Sequence, residues 1–255
     1  MSPWLQNFLL HVLPIGLRVG GLMTFAPFLG SEVVPARVKA GFTIVVTAML
    51  YGITPVSQSL LSTFGWLRMV LSEAAVGLVI GLSVQIVLEG MQIAGQLAGV
   101  QLGFSLAAII DPQTNIDTPV LSVFHQMIAL LIFLQFDVHH WMLRGIVKSF
   151  DYLPVGSSVF TLLTARGFLH ASGAMWVIGA QIAAPILLAT MVIDITVGFL
   201  SKASPQFPAL FVGISAKSIA GYVVLAASAA LWPTVLEAQF GKALGWSERL
   251  LHLVQ

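Results

Sequence analysis

Residues 90–104 have the sequence GMQIAGQLAGVQLGF, the most informative pattern in the chain. Gly95, Gly99 and Gly103 recur every four residues, so on a helix they share one face that another backbone can approach closely. This face fits tight packing inside one subunit, packing against partner subunits, or the lining of a wet conduit. Nearby glutamine amides need hydrogen-bond partners or water if their surroundings are apolar. These glutamines are Gln85, Gln92, Gln96 and Gln101.

The composition around this segment is too apolar for a surface in water. Of 255 residues, 58% are hydrophobic and 8% are charged, whereas about a quarter of the residues in a soluble domain are charged. The sequence therefore predicts a membrane protein. A net charge of +1 excludes an electrostatic surface for nucleic acid. The absence of cysteine excludes disulfides, thiolate metal sites and cysteine nucleophiles.

Apolar stretches recur along the whole chain, each near the roughly 20 residues that span a bilayer. The first has no basic leader and no small-residue cleavage site, so it is predicted to be a retained helix and not a signal peptide. We predict an all-α polytopic membrane protein with about six to seven long hydrophobic helices, forming one integral membrane domain over residues 1–255. The stretches are residues 4–28, 38–54, 66–88, 91–110, 119–136, 171–200 and 208–231.

The longest segment between these stretches, residues 137–170, predicts a short amphipathic helix at a membrane or protein surface. His139 and His140 begin it, and on a helix they point about 100° apart. With no third ligand nearby, we interpret them as interfacial residues and predict no metal site. The helix is predicted to end at residues 152–156. Its apolar stripe is Leu143, Val147 and Phe150, and its charged stripe is Arg144, Lys148 and Asp151.

Four charged residues lie well within the apolar stretches, away from their ends, and each is expected to face protein or water because a charge facing lipid costs several kcal/mol. Arg18 with Glu73 and Asp194 with Lys217 are possible pairs. They indicate structural ion pairs, subunit contacts, or an ion relay in a secondary transporter for a small solute. The relay would suit two related halves with interrupted helices, and the sequence has no internal repeat.

Catalytic motifs are missing from the sequence. It contains no phosphate-binding loop, no G-x-S-x-G and no H-E-x-x-H. We therefore predict that the protein is not an enzyme and that it uses no cofactor.

Several blocks, in order over most of the chain, resemble the FliR family of flagellar export proteins, whose injectisome counterparts are SctT-type proteins. The family's Pro-Gln-Met-Asn-Val-Phe is replaced here by PQFPAL at residues 205–210, so a role tied to that asparagine is not carried over. The usual proline before Lys217 is also absent. The matching blocks are residues 18–22, 26–30 and 34–39; Glu73 with Gly77 and Gly81; Gly95-Gln96 and residues 103–105; Asp111-Pro112, Phe133, His139-His140, Ser149-Phe150 and Pro154; and Pro205-Gln206, Gly213 and Lys217.

The resemblance implies a structural, channel-forming subunit of the flagellar type III protein-export gate, in the bacterial inner (cytoplasmic) membrane at the flagellar basal body. It implies an export-gate architecture of helical hairpins. The implied partners are FliP-like and FliQ-like membrane subunits, the larger FlhA-like and FlhB-like components, exported unfolded proteins, and lipid. Nucleic acid is not among them.

The resemblance also implies roles for particular residues. The loop after the glycine-rich helix is expected to plug the closed pore, while a glycine face packs helices and four charges contact other subunits. The implied pore or plug residues are Gly103, Phe104, Ser105, Leu106, Ile109, Ile110, Asp111 and Pro112. The implied packing face is Gly95, Gly99 and Gly103, and the implied subunit contacts are Arg18, Glu73, Asp194 and Lys217.

Overall fold

A computed structural model describes residues 12–27, 30, 34–51, 63–104, 120–155, 162–204, 206 and 208–252. The regular elements in these ranges are α-helices, which confirms the all-α prediction. They are α1 (Leu13–Phe25), α2 (Ala36–Leu50), α3 (Thr63–Gln101), α4 (Val120–Gln135), α5 (Val138–Tyr152), α6 (Leu162–Ala203), α7 (Ala209–Ala229) and α8 (Trp232–His252).

The chain divides into two compact units that are discontinuous in sequence. Four helices, α3, α4, α6 and α8, contribute residues to both units. The single membrane domain over residues 1–255 stays a prediction. Unit 1 comprises Met1–Ile86, Phe133–Ser172 and Ala238–Gln255, and unit 2 comprises Val87–Ile132 and Gly173–Glu237.

Three helices in the described ranges are long and apolar enough to cross a membrane, in agreement with the predicted polytopic membrane protein. Helices α4 and α5 meet at a bend of 63°. Counted together as one broken span, they add a fourth candidate. The three spans are Gly65–Gln101, Leu169–Ala203 and Phe211–Ala229.

The predicted break between residues 88 and 91 is wrong, because α3 is one uninterrupted helix of 39 residues that includes them. A glycine inside a helix costs roughly 1 kcal/mol relative to alanine, so Gly90 by itself weakens the helix at this point. Its packing supplies the compensation. A methyl group at Gly90 would lie 2.8 Å from Cγ2 of Ile178, so the glycine lets α3 and α6 approach closely.

The predicted amphipathic helix is α5, and it ends at Tyr152 as the sequence indicated. Phe150 of the predicted apolar stripe is buried as expected. In the preceding turns the buried residues are Met142 and Ile146, one position before the predicted Leu143 and Val147, and Val147 is exposed. The predicted charged residues Arg144 and Lys148 are exposed.

Helix α8 was missed because its charged residues kept it out of the apolar stretches. It is amphipathic, and Leu236, Phe240 and Leu251 are fully buried. In unit 1, the ring of Phe240 packs at a steep angle against Phe133, with 5.9 Å between the ring centroids.

Candidate functional site: helix crossings and buried charges

In unit 1, helices α1 and α3 cross at a buried ion pair. The side chains of Arg18 and Glu73 are fully inaccessible to solvent. Both Nε and Nη2 of Arg18 lie 2.7 Å from Oε2 of Glu73. One carboxylate oxygen therefore accepts a hydrogen bond from Nε and lies at ion-pair distance from Nη2. Such charge-assisted hydrogen bonds are shorter and stronger than neutral ones.

Helix α5 and the residue that follows it supply the other contacts of this arginine. Nη1 of Arg18 donates to Oγ of Ser149 at 2.9 Å, and Nη2 donates to the carbonyl oxygen of Leu153 at 3.0 Å. The guanidinium carbon lies 4.0 Å from the ring centroid of Phe150. We call Arg18, Glu73, Ser149, Phe150 and Leu153 the Arg18 cluster; it joins three helices of unit 1 through one side chain.

Glycines allow this crossing. Glu73, Gly77 and Gly81 lie four residues apart, so they share one face of α3. A Cβ at Gly77 would collide with the carbonyl oxygen of Arg18, and one at Gly81 would lie 2.9 Å from the carbonyl oxygen of Leu22. The two backbones are thus in contact, and side chains larger than hydrogen are excluded at both positions.

Unit 2 contains a reciprocal glycine contact between α3 and α6. A Cβ at Gly179 would lie 2.7 Å from Cγ2 of Ile93 and 3.0 Å from the carbonyl oxygen of Gly90. Gly90 in turn faces Ile178 of the other helix. Each helix therefore inserts an isoleucine against a glycine of its neighbour.

The three glycines of the predicted face differ in how closely a neighbouring helix approaches them. A Cβ at Gly95 would lie 2.6 Å from the carbonyl oxygen of Leu121, so α3 and α4 are in backbone contact there. At Gly99 the nearest atom would be Cβ of Leu121 at 3.8 Å, an ordinary contact. Gly103 lies beyond the end of α3 with a φ of 90°, a left-handed conformation that favours glycine. It was wrongly placed on the helical face.

A hydrogen bond supports the close approach at Gly95. Oγ of Ser122 donates to the carbonyl oxygen of Gln92 at 3.0 Å. Gln92 and Gly95 lie on the same turn of α3, so the serine joins α4 to α3 next to the glycine contact. No pattern in the sequence pointed to Ser122, because its hydrogen-bond partner is a backbone oxygen 30 residues away.

The implied pore or plug residues lie mostly outside the described residues. Ser105, Leu106, Ile109, Ile110, Asp111 and Pro112 are not described. Gly103 terminates α3, and the partly exposed Phe104 has its ring centroid 6.5 Å from that of Tyr222 in an edge-to-face arrangement. These two residues mark where the chain leaves the glycine-rich helix.

The second possible ion pair is also present. Nζ of Lys217 on α7 lies 2.6 Å from Oδ1 of Asp194 on α6. Unlike the pair in unit 1 it is accessible, with 21% of the lysine side chain and 51% of the aspartate side chain exposed. Both pairings named from the sequence are therefore formed, in different surroundings.

The turn before α5 differs from its predicted arrangement. Oδ1 of Asp137 lies 3.2 Å from Nδ1 of His140 and 3.7 Å from Nε2 of His139. The statement that no third ligand is near the two histidines is therefore wrong. Asp137 has a φ of 53°, and an argument from helical spacing could not anticipate that left-handed turn.

A family model described as bacterial export proteins, family 1, matches residues 9–243 of the chain. The chain belongs to this family. As a family 1 export protein, it is 29% identical to the flagellar biosynthetic protein FliR of Escherichia coli (strain K12), with 88% of this chain and 85% of that protein covered.

Two further relatives have the same name, flagellar biosynthetic protein FliR. The protein from Bacillus subtilis (strain 168) is 29% identical, and 93% of each chain is covered. The protein from Aquifex aeolicus (strain VF5) is 25% identical, with 86% of this chain and 85% of the relative covered. The predicted membership of the FliR family is confirmed. In this family 1 export protein, Arg18 and the stripe of Glu73, Gly77 and Gly81, on which the resemblance partly rested, meet at one crossing.

Proposed function

We propose that this family 1 export protein is a structural, channel-forming subunit of the flagellar type III protein-export gate in the bacterial inner membrane. It assembles with FliP-like and FliQ-like subunits, together with the larger FlhA-like and FlhB-like components, and exported proteins pass through the assembly unfolded. The family match over residues 9–243 and the similarity to several FliR proteins support this role.

The observation that carries the proposal is an ion pair on an apolar, exposed surface of unit 2. Only 22% of the most apolar part of Leu169–Ala203 and 17% of that of Phe211–Ala229 are buried within the chain. Asp194 and Lys217 lie on these two helices. Large apolar side chains are exposed on the same two helices: Leu188, Met191, Val192, Ile195, Phe211, Ile219 and Val223.

This combination favours a protein neighbour over lipid. Lipid would satisfy the apolar side chains, but a half-exposed carboxylate facing hydrocarbon costs several kcal/mol. A neighbouring subunit can cover the same apolar area and offer hydrogen-bond donors to Asp194. We therefore assign the surface around Asp194 and Lys217 to a contact with another gate subunit.

The helix packing inside unit 1 is consistent with a rigid, structural role for the protein. Backbone contact at Gly77 and Gly81 leaves no room for α1 and α3 to slide, and the Arg18 cluster ties both to α5. Packed helices of this kind change arrangement in discrete steps only. The protein thus supplies a defined helical frame, and no catalytic role is proposed for it.

Copurification from mild detergent tests the assembly. The tagged chain should copurify with two further kinds of small membrane protein in a stable complex. Asp194→Asn should weaken that complex, whereas Val177→Ala, a change at an exposed apolar residue far along the same helix, should not. Isolation of the chain alone under conditions that preserve other membrane complexes would overturn the proposal.

The transporter alternative makes the opposite prediction. The chain by itself in proteoliposomes should then take up a small solute along an ion gradient, and Asp194→Asn should abolish uptake. Uptake of that kind by the isolated chain would replace the gate proposal.

A further inference from the structure

The bend between α4 and α5 brings three potential metal ligands together. Asp137, His139 and His140 each offer one ligand atom, and these atoms all lie within 4.8 Å of one another. All three residues belong to unit 1.

The backbone at Asp137 has the conformation that makes this cluster. Its φ of 53° and ψ of 32° are left-handed, which is uncommon for a residue other than glycine. Asp137 occupies the N-cap position of α5, where aspartate commonly accepts from the helix backbone. Here its carboxylate makes no such capping bond. Instead it faces the imidazoles of His139 and His140.

The distances fit a tetrahedral ion. Oδ1 of Asp137 lies 3.2 Å from Nδ1 of His140 and 3.7 Å from Nε2 of His139. Two ligand atoms that are each about 2.1 Å from a tetrahedral zinc ion are about 3.4 Å apart. The ligand atoms of the two histidines lie within 4.8 Å of each other, so the rings must turn to bring all three atoms around one ion.

Only one nitrogen of His139 can serve as a ligand. Its Nδ1 is buried and has no hydrogen-bond partner among the described residues. Nε2 is the nitrogen that faces Asp137. Coordination through Nε2 requires the proton on Nδ1, for which the described part of the chain offers no acceptor, so one usual support for a metal-bound histidine is missing there. We therefore expect a site weaker than a closed structural zinc centre.

The ligand types decide which ions suit the site. Imidazole nitrogens bind Zn²⁺, Cu²⁺ and Ni²⁺, whereas Mg²⁺ and Ca²⁺ prefer sets of oxygen ligands. One carboxylate and two neutral imidazoles supply three ligands and leave a fourth position for water or for a group from another chain. All three side chains are partly exposed, at 66%, 38% and 58%, so an ion can enter from solvent.

We propose that Asp137, His139 and His140 bind a divalent transition-metal ion of the Zn²⁺ class, which holds the bend between α4 and α5. The ligands lie on the four-residue segment 137–140, so the ion stabilises the turn itself. Since the helices on either side meet at 63°, a fixed turn fixes the direction in which α5 leaves α4. This proposal does not depend on the role of the chain in export.

Metal binding to the full-length chain tests it directly. The protein is purified in detergent with a tag that contains no histidine, stripped with a chelator, and equilibrated with Zn²⁺ or Co²⁺. We expect one equivalent of Zn²⁺ per chain and the visible absorption bands of tetrahedral Co²⁺. His139→Ala and His140→Ala should each weaken Zn²⁺ binding by at least about tenfold. His170→Ala, which removes an exposed histidine outside the cluster, should leave it unchanged.

A second measurement separates loss of the ligand from loss of the fold. Zn²⁺ should raise the thermal unfolding temperature of the unaltered chain and of His170→Ala, but not that of Asp137→Asn, while helical content without metal stays equal. Absence of stoichiometric Zn²⁺ binding, or equal binding by the His139 and His140 variants, would overturn the proposal. The cluster would then be a carboxylate hydrogen-bonded to His140, with His139 beside it, and no more.

Discussion

Arg18 on α1 and Glu73 on α3 form an ion pair with no exposed side-chain surface, held by two contacts of 2.7 Å to one carboxylate oxygen. The pair lies where glycines bring the two backbones into contact. Removing one partner leaves the other charge buried without its counterion. The free energy of unfolding should therefore fall more when one partner is removed than when both are replaced together.

Arg18→Met should destabilise the chain by about 3–5 kcal/mol, because Glu73 then remains buried and uncompensated. The double change Arg18→Met with Glu73→Leu should recover much of this loss, since neither charge is then stranded. Equilibrium unfolding in detergent measures both values. As a control, Asp194→Asn breaks the half-exposed pair and should cost less than Arg18→Met, because the side chains of Asp194 and Lys217 both reach the surface. Equal losses for the two pairs would contradict the difference in burial.

Gly77→Leu should destabilise the chain by at least about 1–3 kcal/mol, because the new side chain collides with the backbone of α1 and cannot be relieved by a rotamer change. Gly41→Ala is the matched control, since nothing lies within 4 Å of its added Cβ. That change should stabilise α2 by up to about 1 kcal/mol through helix propensity. Thermal unfolding of the purified chain compares the two. A tolerated leucine at Gly77 would show that the helices do not cross there.

Gly95→Ala and Gly99→Ala should differ although both alter the predicted glycine face. At Gly95 the added Cβ meets the backbone of α4, so we expect lower yield, loss of about 1–3 kcal/mol and reduced flagellar secretion. At Gly99 the added Cβ makes only an ordinary contact with Leu121, and secretion should be retained. Secreted flagellar protein and the amount of chain in the membrane are measured together. The opposite order would place the close packing elsewhere.

Deletion of residues 106–110 should make the closed gate leak ions or small solutes, if the segment after α3 plugs the pore. The control replaces the same five residues by glycine and serine, which keeps the length and removes the apolar side chains. Leakage in both variants would indicate that apolar bulk closes the pore. Unchanged permeability in a fully assembled complex would contradict a plug at this position.

Much of the candidate site could be predicted from the types of residue in the sequence. A charge in an apolar stretch must be paired, so Arg18, Glu73, Asp194 and Lys217 stood out, and the structure pairs them in the combinations considered. The spacing of Glu73, Gly77 and Gly81 was also available as a signal for close packing.

Other features depended on contacts between distant residues. Ser149 and the carbonyl oxygen of Leu153 lie more than 130 positions from Arg18, and no pattern in the sequence links them to that arginine. The inequality of Gly95 and Gly99 depends on where α4 crosses α3. The histidine cluster depends on a single left-handed residue, Asp137.

The sequence by itself determined that the chain is a helical membrane protein with glycine faces and interior charges, because hydropathy and helical spacing are local properties. It also indicated the family, because blocks of residues typical of that family occur in the same order along this chain. Only the tertiary structure decided that α3 runs unbroken through Gly90, that Gly103 ends the helix, and which glycines are in backbone contact. These are consequences of how helices cross, and a crossing depends on atoms from segments far apart in the chain.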